Sequence, residues 1–520
     1  MRSDRIAPLL LLFAAGCGGG EPLLGPATEY ARRAAYLADS PQDETFRLFV
    51  SRYDGTVADV TGVLVAGGDV QTYAWSPDET RLAFLADAFV DDLTQLFVVD
   101  ASTGARRDIV PNLLPFGVVG LFEWAPNGSR IAYVAETTML SAFELSSVRP
   151  DGSGTVRLSP AFAAGTFVSR ILFSPDSTRV AYAANPNDSG VQDLFVAPAN
   201  GSAPAVQVSG AFVLSGSLAP GSTAFAWSPD STQIAYLADQ NVDEVFELFV
   251  SSADGATNVR VSGVANGGVA TFAWAPNGAR LAYRSDEETA GRQELYTVLP
   301  DGTDRRRVSA DLTATGNVED WAWSPTSDRL AYRADPFQDG QFSLHAVAPT
   351  GGPVTQLSGS LFDVGVSSFA WSPDGSRMAY MARQDTFFFM ELYTVAANGA
   401  QNVKVSANFT VVGTVGAFAW SPTSAALAYL ADLSVQNVLE IHVTGALGGS
   451  SQVSGPSLTG ISVPGFEWAD DGSTLLFLAE QQTPGISELW RTLGNGAQTK
   501  LSSGQSGGGN VVSFEQPGVE

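Results

Sequence analysis

Nine times along its 520 residues the chain repeats an aromatic stretch that runs into a turn, as in Phe225-Ala226-Trp227-Ser228-Pro229-Asp230. The Trp position falls at Trp75, Trp124, Phe173, Trp227, Trp274, Trp323, Trp371, Trp420 and Trp468, at intervals of 49, 49, 54, 47, 49, 48, 49 and 48 residues. Self-similarity at this period marks propellers and related arrays, in which one supersecondary unit is repeated. It also removes the usual inference from length to domain number, because an array grows by adding units.

Residues 269–309 give one unit. Val269 to Trp274 alternates and is aromatic, as a strand does; Ala275-Pro276-Asn277-Gly278 reads as a turn and Arg280 to Arg284 as a second strand. Glu294 to Val298 reads as a third strand, Pro300-Asp301-Gly302-Thr303 as a second tight turn and Arg307 to Ser309 as a short fourth strand. Such a sheet is apolar on both faces, so it is stable only when packed between copies of itself. In the first strand, aromatics two residues apart share one face (Phe272/Trp274, Phe369/Trp371) and the residue between them is usually Ala. Large on one face and small on the other lets neighbouring sheets nest, so these aromatics are expected in the core.

The two ends carry complementary halves of a unit. Arg33 to Asp39 matches a second strand with no first strand before it, and Val511 to Glu515 matches a first strand with no second after it. The expected fold is therefore all-β: one ten-bladed propeller over residues 30–516, closed by the C-terminal strand, with residues 517–520 as a tail. Two smaller rings are the alternative.

The succession of WSPDG turn, RLAY strand, ELY strand and DG turn resembles the PD40 repeat, the WD40-like unit of TolB-type propellers, over about residues 30–516. The resemblance implies a fold and a habit of binding proteins or ligands in the bacterial envelope. It does not extend to the separate N-terminal α/β domain of TolB, so the role of that protein at the Tol–Pal system is not carried over. The N-terminus is similar to a lipoprotein signal: Arg2 and Arg5, the apolar run Leu9 to Ala15, then Ala14-Ala15-Gly16-Cys17. That likeness implies removal of residues 1–16, lipidation of Cys17, residues 17–29 as a tether and, with Gly18 rather than Asp after the Cys, the outer membrane as destination.

The net charge of −26, from 54 Asp and Glu against 28 Lys and Arg, disfavours nucleic acid and direct docking on an anionic membrane. A monomer is expected, touching the membrane only through its anchor. Lysine occurs only at Lys404 and Lys500, a usage read as compositional rather than chemical. Both histidines, His345 and His442, hold third-strand positions occupied elsewhere by Phe97, Tyr296 or Trp490, and read as packing residues. With one cysteine and no loop histidine, no His- or Cys-based nucleophile, zinc site or cofactor is expected. PD40-like propellers also precede the catalytic domain of prolyl-oligopeptidase-type peptidases, but no G-x-S-x-G elbow before a helix is found here.

Carboxylates are the recurrent polar group. Asp39, Asp87, Glu136, Asp239, Asp286, Asp335, Asp432 and Glu480 end second strands, Asn185 and Arg383 replace them in two units, and Asp91 and Asp92 add charge to a nearby loop. These positions lie on one face of the disc and the tight turns on the other. One reading is that each acid caps a strand or turn through backbone N–H groups. The other is an acidic loop face that binds an envelope protein or ligand with a cationic surface; Ca²⁺ would want alternate Asp/Asn ligands, and no loop matches that pattern. Glu123, Glu467 and Glu515 replace the small first-strand residue and hint at a polar channel. A non-catalytic scaffold is therefore expected, with a saccharide- or lactone-active enzyme using paired carboxylates as the alternative.

Overall fold

The computed structural model describes residues 33–39, 45–111, 117–138, 142–162, 165–186, 190–213, 216–221, 224–263, 267–336, 340–410, 413–433, 435–454, 465–482, 485–493, 496–502 and 509–516. Cys17, the signal, the tether and the tail at 517–520 lie outside the described residues.

Each repeat forms one four-stranded antiparallel sheet, and ten such blades make a single ring. Blade 1 holds Arg33–Asp39, Phe46–Arg52 and Val57–Asp59, with Val511–Glu515 supplying its first strand. Blades 2 to 10 follow in chain order and open on Val70–Trp75, Val119–Trp124, Val168–Phe173, Phe225–Trp227, Val269–Trp274, Val318–Trp323, Val366–Trp371, Val415–Trp420 and Phe466–Trp468. First strands of neighbouring blades touch, as in blades 3 and 4, 8 and 9, and 9 and 10, and so line the central channel.

Two aromatic systems hold the blades. Within a blade, the second-strand Tyr or Phe is buried and stacks on the third-strand ring opposite it: Tyr36 on Phe49, Phe84 on Phe97, Tyr236 on Phe249, Tyr283 on Tyr296. His345 stacks on Tyr332 and His442 on Tyr429 at 5.3 Å between centroids, so both histidines are ring-for-ring substitutes in this ladder. Between blades, the first-strand Trp packs against its predecessor and its indole N–H donates to a backbone carbonyl there. Trp124 bonds Ala74, Trp274 bonds Ala226, Trp323 bonds Ala273, Trp371 bonds Ala322 and Trp420 bonds Ala370. The Leu172 carbonyl receives the Trp227 indole in the same way, so the bond is made by the backbone whatever side chain the accepting residue carries.

The closing strand obeys the same rules. Ala35 pairs with Glu515, Tyr36 with Phe514 and Leu37 with Ser513, and the Trp75 indole donates to the Glu515 carbonyl. Gln516 stands in the Trp register: its amide donates to the Glu467 carbonyl and accepts from the Tyr53 hydroxyl at 2.6 Å. A ring closed in this way leaves no unpaired first-strand edge.

Candidate functional site

The two ends of the disc differ in kind. One carries the tight turns, closed by bonds such as Gly278 N–H to Ala275 and Gly302 N–H to Leu299. The other carries the loops entering first strands and those joining second to third strands. There the recurrent acids cross-brace two loops at once. Asp87 accepts from the backbone N–H of Asp69 ahead of the blade and of Asp92 five residues on. Asp239 does so for Ser217 and Glu244, Asp286 for Gly267 and Gly291, Asp335 for Asn317 and Gly340, and Asp432 for Thr414 and Asn437.

The fifth residue always has a left-handed backbone, at φ of 65° in Asp92, 61° in Glu244, 76° in Gly291 and 63° in Asn437, which turns its N–H back toward the carboxylate. Asp39 makes the brace across the ring closure, accepting from Asn510. Asn185 takes the N–H of Phe167, and Glu480 that of Gly485.

These contacts divide the expected binding residues. Asp87, Asp239, Asp286, Asp335 and Asp432 are only 2–4% exposed, and both carboxylate oxygens of each are taken by backbone donors. They set the shape of the face rather than its outer surface. Asp39, Glu136 and Glu480 are half-buried, while Asp91 and Asp92 stand in solvent beside Phe89 and Val90. The equivalent loop of blade 5 presents Val242, Asp243 and Glu244, and that of blade 8 presents Asp385, Phe387 and Phe388. In blade 8 the brace is replaced: Arg383 pairs with Asp363 and lies over the Phe387 ring. The loop tips thus combine exposed apolar groups with carboxylates, differently in each blade.

A second recurrent pair escapes the sequence reading. The Glu that opens a third strand is buried and bonded to a cation on the fourth: Glu144 to Arg157, Glu247 to Arg260, Glu294 to Arg307, Glu391 to Lys404 and Glu488 to Lys500. Both lysines of the chain take this role, so their placement is chemical rather than compositional. The signal was present as a Glu followed 12 or 13 residues later by a basic residue.

The first-strand glutamates also resolve into structure. Glu123 accepts from the backbone N–H of Phe173, in the blade that lacks the Trp. Glu467 likewise precedes the position where Gln516 replaces Trp. Burial, then the nearby Glu515 and Asp470, push its carboxyl up to about 8, against the lowering effect of its bond to Gln516. The folded protein holds this proton where an unfolded chain, near 4.5, has lost it. The resulting stability is full below the unfolded value and falls as pH rises through about 8. Glu467→Gln should therefore flatten the alkaline loss, raising stability at pH 9 by on the order of 1–3 kcal/mol with little change at pH 4. Thermal melts of both proteins across that range check it; parallel curves would contradict it.

A family model described as the TolB β-propeller domain, PD40, matches residues 21–326. The chain belongs to the TolB β-propeller family. Among solved structures, the propeller is similar to a eukaryotic initiation factor at 12% identity and a TM-score of 0.52, covering 90% of this chain and 95% of that one. It is also similar to TolB from Acinetobacter baumannii at 16% identity and a TM-score of 0.27, covering 53% of this chain and 63% of that one. A prolyl endopeptidase structure matches at 14% identity and a TM-score of 0.37, over 73% of this chain and 55% of that one. At such identities the likeness speaks to the fold alone. No curated protein sequence matches the chain.

Proposed function

We propose that this TolB-type propeller is an exported, lipid-anchored, non-catalytic scaffold of the bacterial envelope that engages a partner with a cationic surface through its loop face. The observation that carries this reading is the contrast between the two ends of the ring. Tight turns repeat nearly unchanged, whereas the braced loops hold unlike tips, Phe89 to Asp92 in one blade, Val242 to Glu244 in another, Asp385 to Phe388 in a third. Specific recognition needs unlike groups on a rigid frame. Apolar anchors ringed by acid suit a basic partner with exposed hydrophobic side chains, bound in a salt-sensitive way. Membership of the TolB family supports export, and the Cys17 sequence supports the anchor.

The test removes tip charge without touching the braces: Asp91, Asp92 and Asp243 to Asn, compared with Asp254 and Asp301 to Asn on the turn face. Partner recovery from solubilised envelope should fall at least tenfold for the first set at unchanged melting temperature. Equal loss from both sets, or recovery indifferent to salt, would contradict it.

A further inference from the structure

Blade 4 breaks the repeat at three first-strand positions at once. Phe173 replaces Trp, Leu172 replaces the small residue, and Arg170 occupies a rung held elsewhere by Thr72, Leu121, Thr271, Asp320, Ser368 or Ala417. The Arg170 guanidinium lies over the Phe225 ring at 4.3 Å from its centroid. Its Nη1 is buried without a hydrogen-bond partner; every other arginine atom found in that condition among the described residues is an Nε. An Nε is readily covered by packing, but a terminal nitrogen belongs to the fork with which arginine grips carboxylates. Burial also makes the charged form harder to hold, with Glu123 near enough to offset part of that effect.

Arg170 sits at one end of a cleft of about 340 Å³ in the channel wall where blades 4, 5 and 6 meet. Its walls are Phe225, Trp227, Phe272 and Trp274, and Pro229 marks its rim among the tight turns. The volume is at the lower end of small-molecule sites, roughly 300–1,000 Å³. The turn residues Pro175, Pro229 and Pro276 line it, so it extends to the end of the ring opposite the acidic loop tips. In the adjoining turns, Asp176 and Asp230 are already bonded to the Ser and Thr hydroxyls of their own turns. A half-buried cation with one idle donor, beside an aromatic slot, matches one ligand chemistry.

We propose that this cleft binds a small monocarboxylate with a flat apolar body, the carboxylate on Arg170 and the body between the aromatic edges of blades 5 and 6. A single guanidinium facing Glu123 suits one negative charge better than two. The carboxylate would supply the missing acceptor and add to the counter-charge of Glu123, while the apolar body would cover the small exposed edges of the tryptophan and phenylalanine rings. This site is independent of the partner proposed for the loop face.

The experiment titrates the full chain with 2-naphthoate and, separately, with 2-naphthamide, reading tryptophan emission and calorimetric heat. Naphthoate should saturate one site and bind at least tenfold more tightly than the amide, and Arg170→Gln should reduce it to the affinity of the amide. Failure of naphthoate to saturate by millimolar concentration, equal binding of acid and amide, or a preference that survives in Arg170→Gln overturns the proposal. Should the Gln variant melt early, Arg170→Lys and the acid-to-amide ratio of the unaltered protein decide instead. A ratio near one is then the overturning result.

Discussion

Deleting residues 510–520 should lower stability by on the order of 4–6 kcal/mol and promote self-association, whereas deleting 517–520 should leave the melting temperature within about 1 °C. The longer deletion takes away the strand that pairs with Arg33–Asp39, the buried Val511, the carbonyl that receives the Trp75 indole and the amide that receives the Tyr53 hydroxyl. It also removes Asn510, whose N–H satisfies Asp39 across the seam. The edge of blade 1 would then present free backbone donors and acceptors to solvent or to a second copy of the chain. Thermal melts with light scattering separate the outcomes. Two truncations that melt alike would contradict end-to-end closure.

Replacing a brace acid should also destabilise the fold, although no ligand is involved. Asp335→Ala leaves the N–H groups of Asn317 and Gly340 without their acceptor in a site only 2% exposed. A cost of about 1–3 kcal/mol follows, because the buried carboxylate is lost while the half-buried Asn317 and exposed Gly340 recover part of their bonding from water. Asp335→Asn should cost less, about 1 kcal/mol, because an amide oxygen can still accept; Asn185 does so naturally for Phe167. Asp91→Ala, by contrast, should stay within about 0.5 kcal/mol, since its side chain faces solvent. Denaturant titration gives the energies, and hydrogen exchange at Asn317 and Gly340 locates the damage. An Asp335→Ala protein as stable as the parent would refute the brace.

Much of this architecture was readable from the chain because a repeat reports its own register. The 49-residue spacing aligned nine Trp-type positions, and the half-units at either end predicted which strand closes the ring. The histidines were readable for the same reason, since alignment placed them where rings stack. What the acids do was harder to see. A carboxylate recurring at a strand end has the same sequence signature whether it faces solvent or turns inward to two N–H groups. Only the left-handed residue five positions later, Gly291 or Gly340 or Asn437, hinted at the second donor. The third-strand Glu and fourth-strand cation are hard to pair from sequence because they lie 12 or 13 residues apart, at the far ends of two strands joined by a tight turn. Arg170 was invisible as a site for the opposite reason: it occurs once, and its neighbours in the cleft come from two other blades. Repetition reveals the frame, while recognition chemistry resides in what does not repeat.

That division is the core of the functional account, and site-specific photo-crosslinking in intact cells tests it most directly. A photoreactive residue would be placed at Phe89, Val242 or Phe387 on the loop tips and, in separate cells, at Asp254 or Asp301 on the turn face. The account predicts that the loop-tip positions capture one and the same envelope protein, that capture falls with added salt, and that the turn-face positions capture none of it. Capture confined to the turn face, or no defined product from any loop tip, would contradict the assignment of binding to the loop face.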